Sequence, residues 1–358
     1  MTELVRLHQN DGVAMKTYLS VPKGLLGHAE SSAEIWDAYL PRSSHVRMTT
    51  GYITSDAIIE LKKIAEFNNN FSIELFIGMH FFELFTRTQY EAVSELSSFL
   101  IKSQRGAVYL STRTKFHGKM YSFLSGDQCI ASAIGSSNLG SFIGTSSDLY
   151  ETDCCFDDHN SCNEINGQIS KIIESLGTPF SSVNIDKFNE QNEILRGEYG
   201  VDQVDPGDVA QAIAAKTKIS FDLPLKTTGK SNLNAFFGEG RKNKRGIIKP
   251  RPWYEAEIIV PVSVTRMPNY PVDQEFDVIT TDGWKFRCKV SKGANGKNFR
   301  SANDLKILGK WIKGSMEKAG ALKIGTPVTD DTLAKFQKSA LRLTRTTQSG
   351  LWILEMVK

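Results

Sequence analysis

The sequence predicts an α/β layered domain followed by a mostly β domain. Three observations carry that expectation. In the first half, short apolar runs alternate with stretches of helical apolar spacing, whereas the last third alternates apolar and polar residues between Gly- and Asn-rich turns. Charge divides the chain as well: residues 1–216 hold 17 Lys/Arg against 27 Asp/Glu, a net of −10, and residues 217–358 hold 26 against 13, a net of +13. A basic half following an acidic one concentrates contacts to a polyanion in the C-terminal part. The expected domains are 1–180 and 217–358, joined by an acidic, polar connector over 181–216 that is part helical at 209–215.

Taken in order, Gly24 and Gly27 mark a loop before a helical stretch at 30–39. Residues 45–53 read as a strand, and Ser55 or Asp56 caps a helix bearing Ile58, Ile59, Leu61 and Ile64. The run 71–79 is short and nearly all apolar, as in a strand buried on both faces. A helix over 88–102 sets Ala92, Val93, Leu96, Phe99 and Leu100 at helical spacing, and 107–111 returns as a strand. Strand, helix, strand, helix, strand favours a layered α/β sheet. Residues 120–124 and 129–134 continue it as two strands around the turn Ser125-Gly126-Asp127, 149–156 adds another, and 163–176 closes it with a helix. Beyond the connector, 219–225, 255–264, 275–280, 283–290, 340–344 and 351–357 read as strands, with an apolar segment at 307–311 and a helix near 332–336.

The chemistry-bearing stretch is 114–138. It opens on Phe116-His117-Gly118-Lys119 and ends on Gly135-Ser136-Ser137-Asn138. On a strand, residues i and i+2 share a face, so His117 pairs with Lys119 and Ser136 with Asn138. An imidazole, an ammonium and an amide facing one pocket suit a phosphodiester, with a nucleophile or acid/base group beside donors for the non-bridging oxygens.

That order and spacing resembles the active-site motif of the phospholipase D superfamily, H-x-K followed by G-S-x-N, matched by His117, Lys119, Gly135, Ser136 and Asn138. One element departs: the acid usually found five residues after the lysine falls at Leu124. Glu151 is similar to the carboxylate that the nuclease branch uses instead, and the chain resembles metal-independent restriction endonucleases of the BfiI and NgoFVII type. The resemblance implies a catalytic set of His117, Lys119, Ser136, Asn138 and Glu151, with no metal and no cofactor. Superfamily chemistry uses two H-x-K motifs and this chain has one, so the resemblance also implies a homodimer with a single pocket built from both copies. In it one His117 would attack phosphorus, the partner's His117 would protonate the leaving oxygen, Lys119 and Asn138 would hold non-bridging oxygens, Ser136 would assist, and Glu151 would support an imidazole.

In the basic half, Arg241, Lys242, Asn243, Lys244 and Arg245 lie between Gly240 and Gly246, followed by Lys249 and Arg251; a second run holds Lys292, Asn295, Lys297, Asn298 and Arg300. Arg and Asn have the bidentate donors that read guanine and adenine edges, and Lys meets phosphates. Together with Asn232 and Asn234, these residues form the expected DNA-contacting set. Two basic arms around a small barrel resemble the plant transcription-factor (B3-type) pseudobarrel used by some restriction enzymes for recognition. The expected partner is double-stranded DNA.

Other features narrow the choice. His8, His28, His45, His80 and His159 lack an x-Lys partner and metal-ligand spacing; His80, after a buried strand, is the alternative pocket residue. The five cysteines, Cys129, Cys154, Cys155, Cys162 and Cys288, form no C-x-x-C pair and are expected as buried thiols. Gly293-Ala294-Asn295-Gly296-Lys297 is not a phosphate loop, since Walker A needs four residues between its glycines and a Ser/Thr where Asn298 stands. An ATP-driven step would therefore need a separate ATPase, and a restriction enzyme a cognate methyltransferase. No apolar run reaches about 18 residues and no secretory pattern opens the chain, so a cytoplasmic protein without a membrane contact is expected. Two alternatives share part of the pattern: a phosphatidyl-transferring lipid enzyme, which normally carries the motif twice, and a sequence-specific DNA-binding protein without catalysis, which would accommodate Leu124.

Overall fold

Short apolar strands that need both faces covered build the first half of the chain around one mixed sheet. The computed structural model describes residues 15–20, 31–145, 149–189, 195–242, 248–291, 298–302 and 304–358. The elements of the first half are β1 (Met15–Ser20), α1 (Ala33–Tyr39), β2 (His45–Thr50), α2 (Ser55–Phe67), β3 (Ser72–Ile77), α3 (His80–Glu83), α4 (Arg87–Ser103), β4 (Gly106–Ser111), β5 (Met120–Ser125), β6 (Gln128–Gly135), α5 (Leu139–Phe142), β7 (Glu151–Phe156), α6 (His159–Leu176) and β8 (Gly177–Pro179). The sheet order is β1-β7-β6-β5-β2-β3-β4-β8. Strands β2, β3 and β4 run parallel, joined by crossovers that contain α2 and α4, while β5 lies antiparallel on the other side of β2. Thr54 caps α2 by accepting from the Ala57 N–H at 3.4 Å, and Thr86 with Gln89 forms a capping box on α4. Ile169 and Ile173 of α6 pack on Phe76, and the Tyr121 and Phe142 rings stack with centroids 3.6 Å apart.

The second half contains β9 (Val201–Gln203), α7 (Pro206–Ala214), β10 (Lys216–Pro224), β11 (Arg241–Lys242), β12 (Ile248–Lys249), β13 (Ile258–Ile259), α8 (Val262–Thr265), β14 (Glu275–Thr280), β15 (Trp284–Val290), β16 (Asn298–Ser301), α9 (Leu305–Lys318), α10 (Asp330–Phe336), β17 (Ala340–Thr346) and β18 (Leu351–Val357). Its sheet is ordered β10-β17-β18-β14-β15-β16-β13, with β9 also paired to β15. Among the described residues of this half, only β14 and β18 pair in parallel. This is the mostly β domain the sequence predicted, a curved half-barrel sheet carrying one long helix.

Several expectations are corrected. The stretch 181–216 is not an independent connector. The chain divides after Gln191, and from residue 201 it is built into the second unit: β9 pairs with β15, and Val209 and Ala212 of α7 pack on Ile279, Leu351 and Ile353. Residues 255–264 are not one strand, because Pro261 has no N–H to continue a ladder; only Ile258–Ile259 pairs, and α8 starts after the proline. The segment 307–311 belongs to a fourteen-residue helix, α9, whose buried Ile307, Leu308, Trp311, Ile312 and Met316 keep helical spacing beyond Trp311. Strand β1 had no sequence signal.

Helix α9 also buries a lysine. Lys313 is fully enclosed, donates to the Trp253 carbonyl at 2.5 Å and lies 4.0 Å from the centre of the Trp253 ring. Burial pulls its pKa down from 10.5 to about 7, against the opposing fields of Glu317 and Glu255. With the folded value below the unfolded one, the unfolded chain binds more protons between pH 7 and 10.5, so stability rises with pH across that window and the penalty is constant below it. Replacing Lys313 with Met should therefore raise Tm most near pH 7, with the difference from wild type shrinking toward pH 10, as thermal melts at stepped pH would read.

Candidate active site

The site forms where the parallel strands end. Strand β2 ends at Thr50 and is followed by Gly51-Tyr52, and β3 ends at Ile77 and is followed by Gly78-Met79. The segment carrying the H-x-K triplet crosses both ends: the Phe116 N–H donates to the Gly78 carbonyl at 3.3 Å. A side chain at Gly78 would meet that segment's backbone, with its Cβ 1.9 Å from the Phe116 oxygen, and one at Gly51 would sit 2.9 Å from Cδ2 of His117. Gly78 is thus required by close backbone approach, whereas a side chain at Gly51 would displace the His117 ring. Sequence reading missed them, although a glycine directly after each of two parallel strands was an available signal.

His117 and Lys119 lie just ahead of β5, not on it as the strand reading had placed them. The final approach to the strand still brings their side chains together. Lys119 is buried and its Nζ lies 3.0 and 3.1 Å from the two ring nitrogens of His117, while donating to the His117 carbonyl at 2.7 Å. The imidazole itself is exposed. Burial lowers the Lys119 pKa, and the field of Glu151 opposes that shift.

Gly135 ends β6, and the loop that follows presents the other motif residues. Oδ1 of Asn138 accepts from the Tyr52 N–H at 3.1 Å and from the Thr50 hydroxyl at 3.4 Å, so the carbonyl side of the amide is held and the NH₂ side is the group to offer a ligand. Ser136 donates to Glu151 at 2.5 Å and accepts from the Thr152 N–H at 2.9 Å. Its neighbour Ser137 donates to Asp153 at 2.5 Å, and Tyr121 donates to the Ser137 carbonyl at 2.7 Å, which fastens the loop to β7 and the aromatic core. Burial raises the carboxyl pKa of Glu151; the Ser136 hydrogen bond opposes this, the Asp153 charge adds to it and Lys119 opposes it. Among the described residues, Glu151 makes no contact with His117 within one chain; its partners are Ser136 and the charge of Lys119. Leu124 is buried against Cys129 and Cys162 in a hydrophobic cluster. His80 does not line the site. It is buried, stacks on Phe85 at 4.8 Å and accepts from the Ile53 N–H at 3.0 Å, and desolvation pulls its pKa down to about 4.

Two family models fit this arrangement. Residues 32–185 match the NgoFVII restriction endonuclease N-terminal PLD domain, and residues 211–347 match the NgoFVII C-terminal B3-like DNA-binding domain. The chain belongs to the NgoFVII restriction endonuclease family. Membership supports a DNA endonuclease with a phospholipase D-like cutter and a DNA-binding reader. Solved structures similar to its first half include Nuc, a phospholipase D family member from Salmonella typhimurium, at 14% identity and TM-score 0.33, covering 47% of this chain and 97% of that one. NucT from Helicobacter pylori aligns at 15% identity and TM-score 0.31, covering 46% and 100%, and phosphatidylserine synthase from Haemophilus influenzae Rd KW20 at 14% and 0.36, covering 48% and 42%. No curated protein matches the sequence. No helix among the described residues is long and apolar enough to cross a membrane.

In the B3-like domain of this NgoFVII-family chain, antiparallel pairs of strands flank both basic runs. Arg241 pairs with Lys249 and Lys242 with Ile248 in the ribbon of β11 and β12; Val290 of β15 pairs with Phe299 of β16. Asn243, Lys244, Arg245, Lys292, Asn295 and Lys297 lie outside the described residues, as do the side chains of Lys242 and Lys249. Arg241 and Arg251 both donate to Glu255, whose side chain is only 1% exposed, with the Arg251 contact at 2.7 Å. Asn298 donates to Glu257 at 2.9 Å, and an Arg300 guanidinium nitrogen lies 3.9 Å from the same carboxylate. Asn232 and Asn234 are corrected. Both are buried, and their amides serve the backbone: Asn232 accepts from the Ile259 N–H at 2.9 Å, while Asn234 donates to the carbonyls of Thr227 and Val328 and accepts from the Val328 N–H.

The packing against Gly51 yields a test. An alanine there presses on an exposed ring that can swing away, so Gly51→Ala should leave Tm nearly unchanged while cutting the rate of DNA cleavage by about tenfold or more, because displacing a reacting group is costly. Parallel melts and cleavage time courses would separate the two effects.

Proposed function

We propose that the protein is a site-specific double-stranded DNA endonuclease that hydrolyses phosphodiesters without a metal, through a phosphohistidine formed in a pocket shared by two copies of the chain. The observation that carries the reading is the exposed His117 ring held against the buried Lys119 ammonium, with the Asn138 amide anchored by its carbonyl side nearby. An ammonium and fixed N–H donors neutralise the charge that builds on the non-bridging oxygens, a task given elsewhere to a divalent ion. The presence of one H-x-K per chain supports a two-copy pocket.

In this mechanism a ring nitrogen of His117 attacks phosphorus, forming an N–P bond as the P–O bond to the leaving strand breaks. His117 of the partner subunit gives its proton to the departing oxygen. The same ring, now neutral, takes a proton from water, which attacks phosphorus and breaks the N–P bond to restore the first imidazole. Lys119 and Asn138 bind the non-bridging oxygens throughout. Glu151 holds Ser136 at the pocket floor and balances the buried Lys119 charge. The two basic runs read bases and bind phosphates, and so select the sequence; a cognate methyltransferase would protect host sites.

His117→Ala should abolish cleavage of phage DNA while leaving binding intact in a gel-shift assay. EDTA should leave the wild type active, and acid-quenched reactions on end-labelled DNA should trap a protein-linked strand. Full activity in the His117→Ala protein would remove the assignment. For the reader, Arg245→Ala should relax sequence choice, whereas Lys297→Ala should weaken binding to all sequences alike and lower the slope of log K against log salt by about 1.

A further inference from the structure

The motif residues do not account for how the His117 ring is held. Lys119 approaches the ring nitrogens and Gly51 leaves room for Cδ2, yet a third contact comes from a residue outside every motif. The Tyr52 ring meets the His117 ring edge-on, with centroids 5.5 Å apart and planes at 76°. On its other side Tyr52 meets the His80 ring at 5.6 Å and 90°. The Tyr52 N–H is the donor that fixes Oδ1 of Asn138 at 3.1 Å, and its carbonyl accepts from Thr50 at 2.9 Å. Its phenol donates to Glu83 at 2.6 Å, and the other oxygen of Glu83 takes Nζ of Lys115 at 3.1 Å. Lys115 lies two residues ahead of His117 on the same segment. One residue therefore touches the imidazole, holds the amide, and through Glu83 ties down the chain that carries the imidazole.

We propose that Tyr52 is a positioning residue for phosphodiester cleavage: its ring sets the orientation of the His117 imidazole, and the Tyr52–Glu83–Lys115 tie fixes the segment on which that imidazole stands. The inference rests on the nuclease reading above and deepens it. The ring contact and the tie are separable. Removing the phenol oxygen breaks only the tie, whereas removing the ring breaks both. The hydrogen bond to Glu83 raises the Tyr52 pKa, and the same bond lowers that of Glu83, as expected of a phenol donating to a carboxylate. His80 supports the arrangement from behind as a neutral, buried ring.

The test measures single-turnover cleavage of phage DNA at varied enzyme concentration for wild type, Tyr52→Phe and Tyr52→Ala, with His117→Ala as the control. Tyr52→Ala should lower the saturating rate by about 100-fold, with the half-saturating concentration within about twofold of wild type, as expected when a reacting group is misplaced but binding persists. Tyr52→Phe should recover most of that rate, losing less than about tenfold. In protein carrying ¹³C-labelled histidine, the His117 ring resonance, assigned by its absence in His117→Ala, should move in Tyr52→Ala and stay in Tyr52→Phe. A residue needed only for folding would lower Tm without altering the rate or resonance of the folded fraction. If Tyr52→Ala fails to fold, Tyr52→Leu, which fills the space without an aromatic edge, is held to the same expectation. A saturating rate within about threefold of wild type together with an unmoved His117 resonance overturns the proposal. Cleavage by His117→Ala would instead overturn the nuclease reading itself, whereas an inactive His117→Ala beside a fully active Tyr52→Ala defeats this inference alone.

Discussion

A close crossing of backbones governs the first half of the molecule. The segment that delivers His117 runs so close over the ends of two parallel strands that a side chain at Gly78 would meet its backbone and one at Gly51 would press on the His117 ring. Parallel strands leave their last carbonyls and N–H groups unspent, and the crossing segment uses one of them, the Gly78 carbonyl. That same approach sets the imidazole against Tyr52 and brings the lysine two residues later into contact with its nitrogens. Without the two glycines the H-x-K triplet would be an exposed loop beside a sheet.

The charges of the site are arranged by burial. Lys119, Glu151 and Asp153 are all shielded from water, which costs each its hydration, and each is given something in return. Glu151 and Asp153 accept from the serines of the G-S-S-N loop, and Lys119 reaches the His117 carbonyl. The two serines in the motif therefore have different partners on one strand. Ser136 bonds Glu151 and the Thr152 N–H, and Ser137 ties the loop to the interior through Asp153 and Ser32. Glu151 enters from β7, accepts from Ser136 and places its charge in the field of Lys119, while Leu124 is buried in a hydrophobic cluster.

The second half carries its basic side chains on and beside a small sheet. Antiparallel strands β11 with β12 and β15 with β16 flank the two basic runs, and carboxylates hold their described side chains, with the buried Glu255 holding Arg241 and Arg251 and Glu257 holding Asn298 near Arg300. Those contacts orient side chains before any polyanion arrives. Asn232 and Asn234 show the opposite use of a polar residue. Their amides replace backbone partners where the chain turns, which keeps buried N–H and C=O groups satisfied.

Local patterning made most of the fold legible. Apolar periodicity placed most strands and helices of the first half to within a few residues, β1 excepted, and the spacing of His117, Lys119, Ser136 and Asn138 marked the candidate site. It failed where meaning depended on context. Pro261 divided an apparently regular strand, α9 extended past the apolar segment that marked it, and 201–216 read as a connector because its acidity hid the apolar face of α7. The sequence by itself determined the two-domain order, the charge division and the motif, because period and spacing are properties of the chain alone. Only the tertiary structure decided that Gly51, Gly78 and Tyr52 frame the imidazole, that Glu151 serves Ser136 and Lys119, and that two arm-proximal asparagines face inward. Each of these depends on contacts between segments distant along the chain, and no local pattern encodes the distance at which two backbones pass.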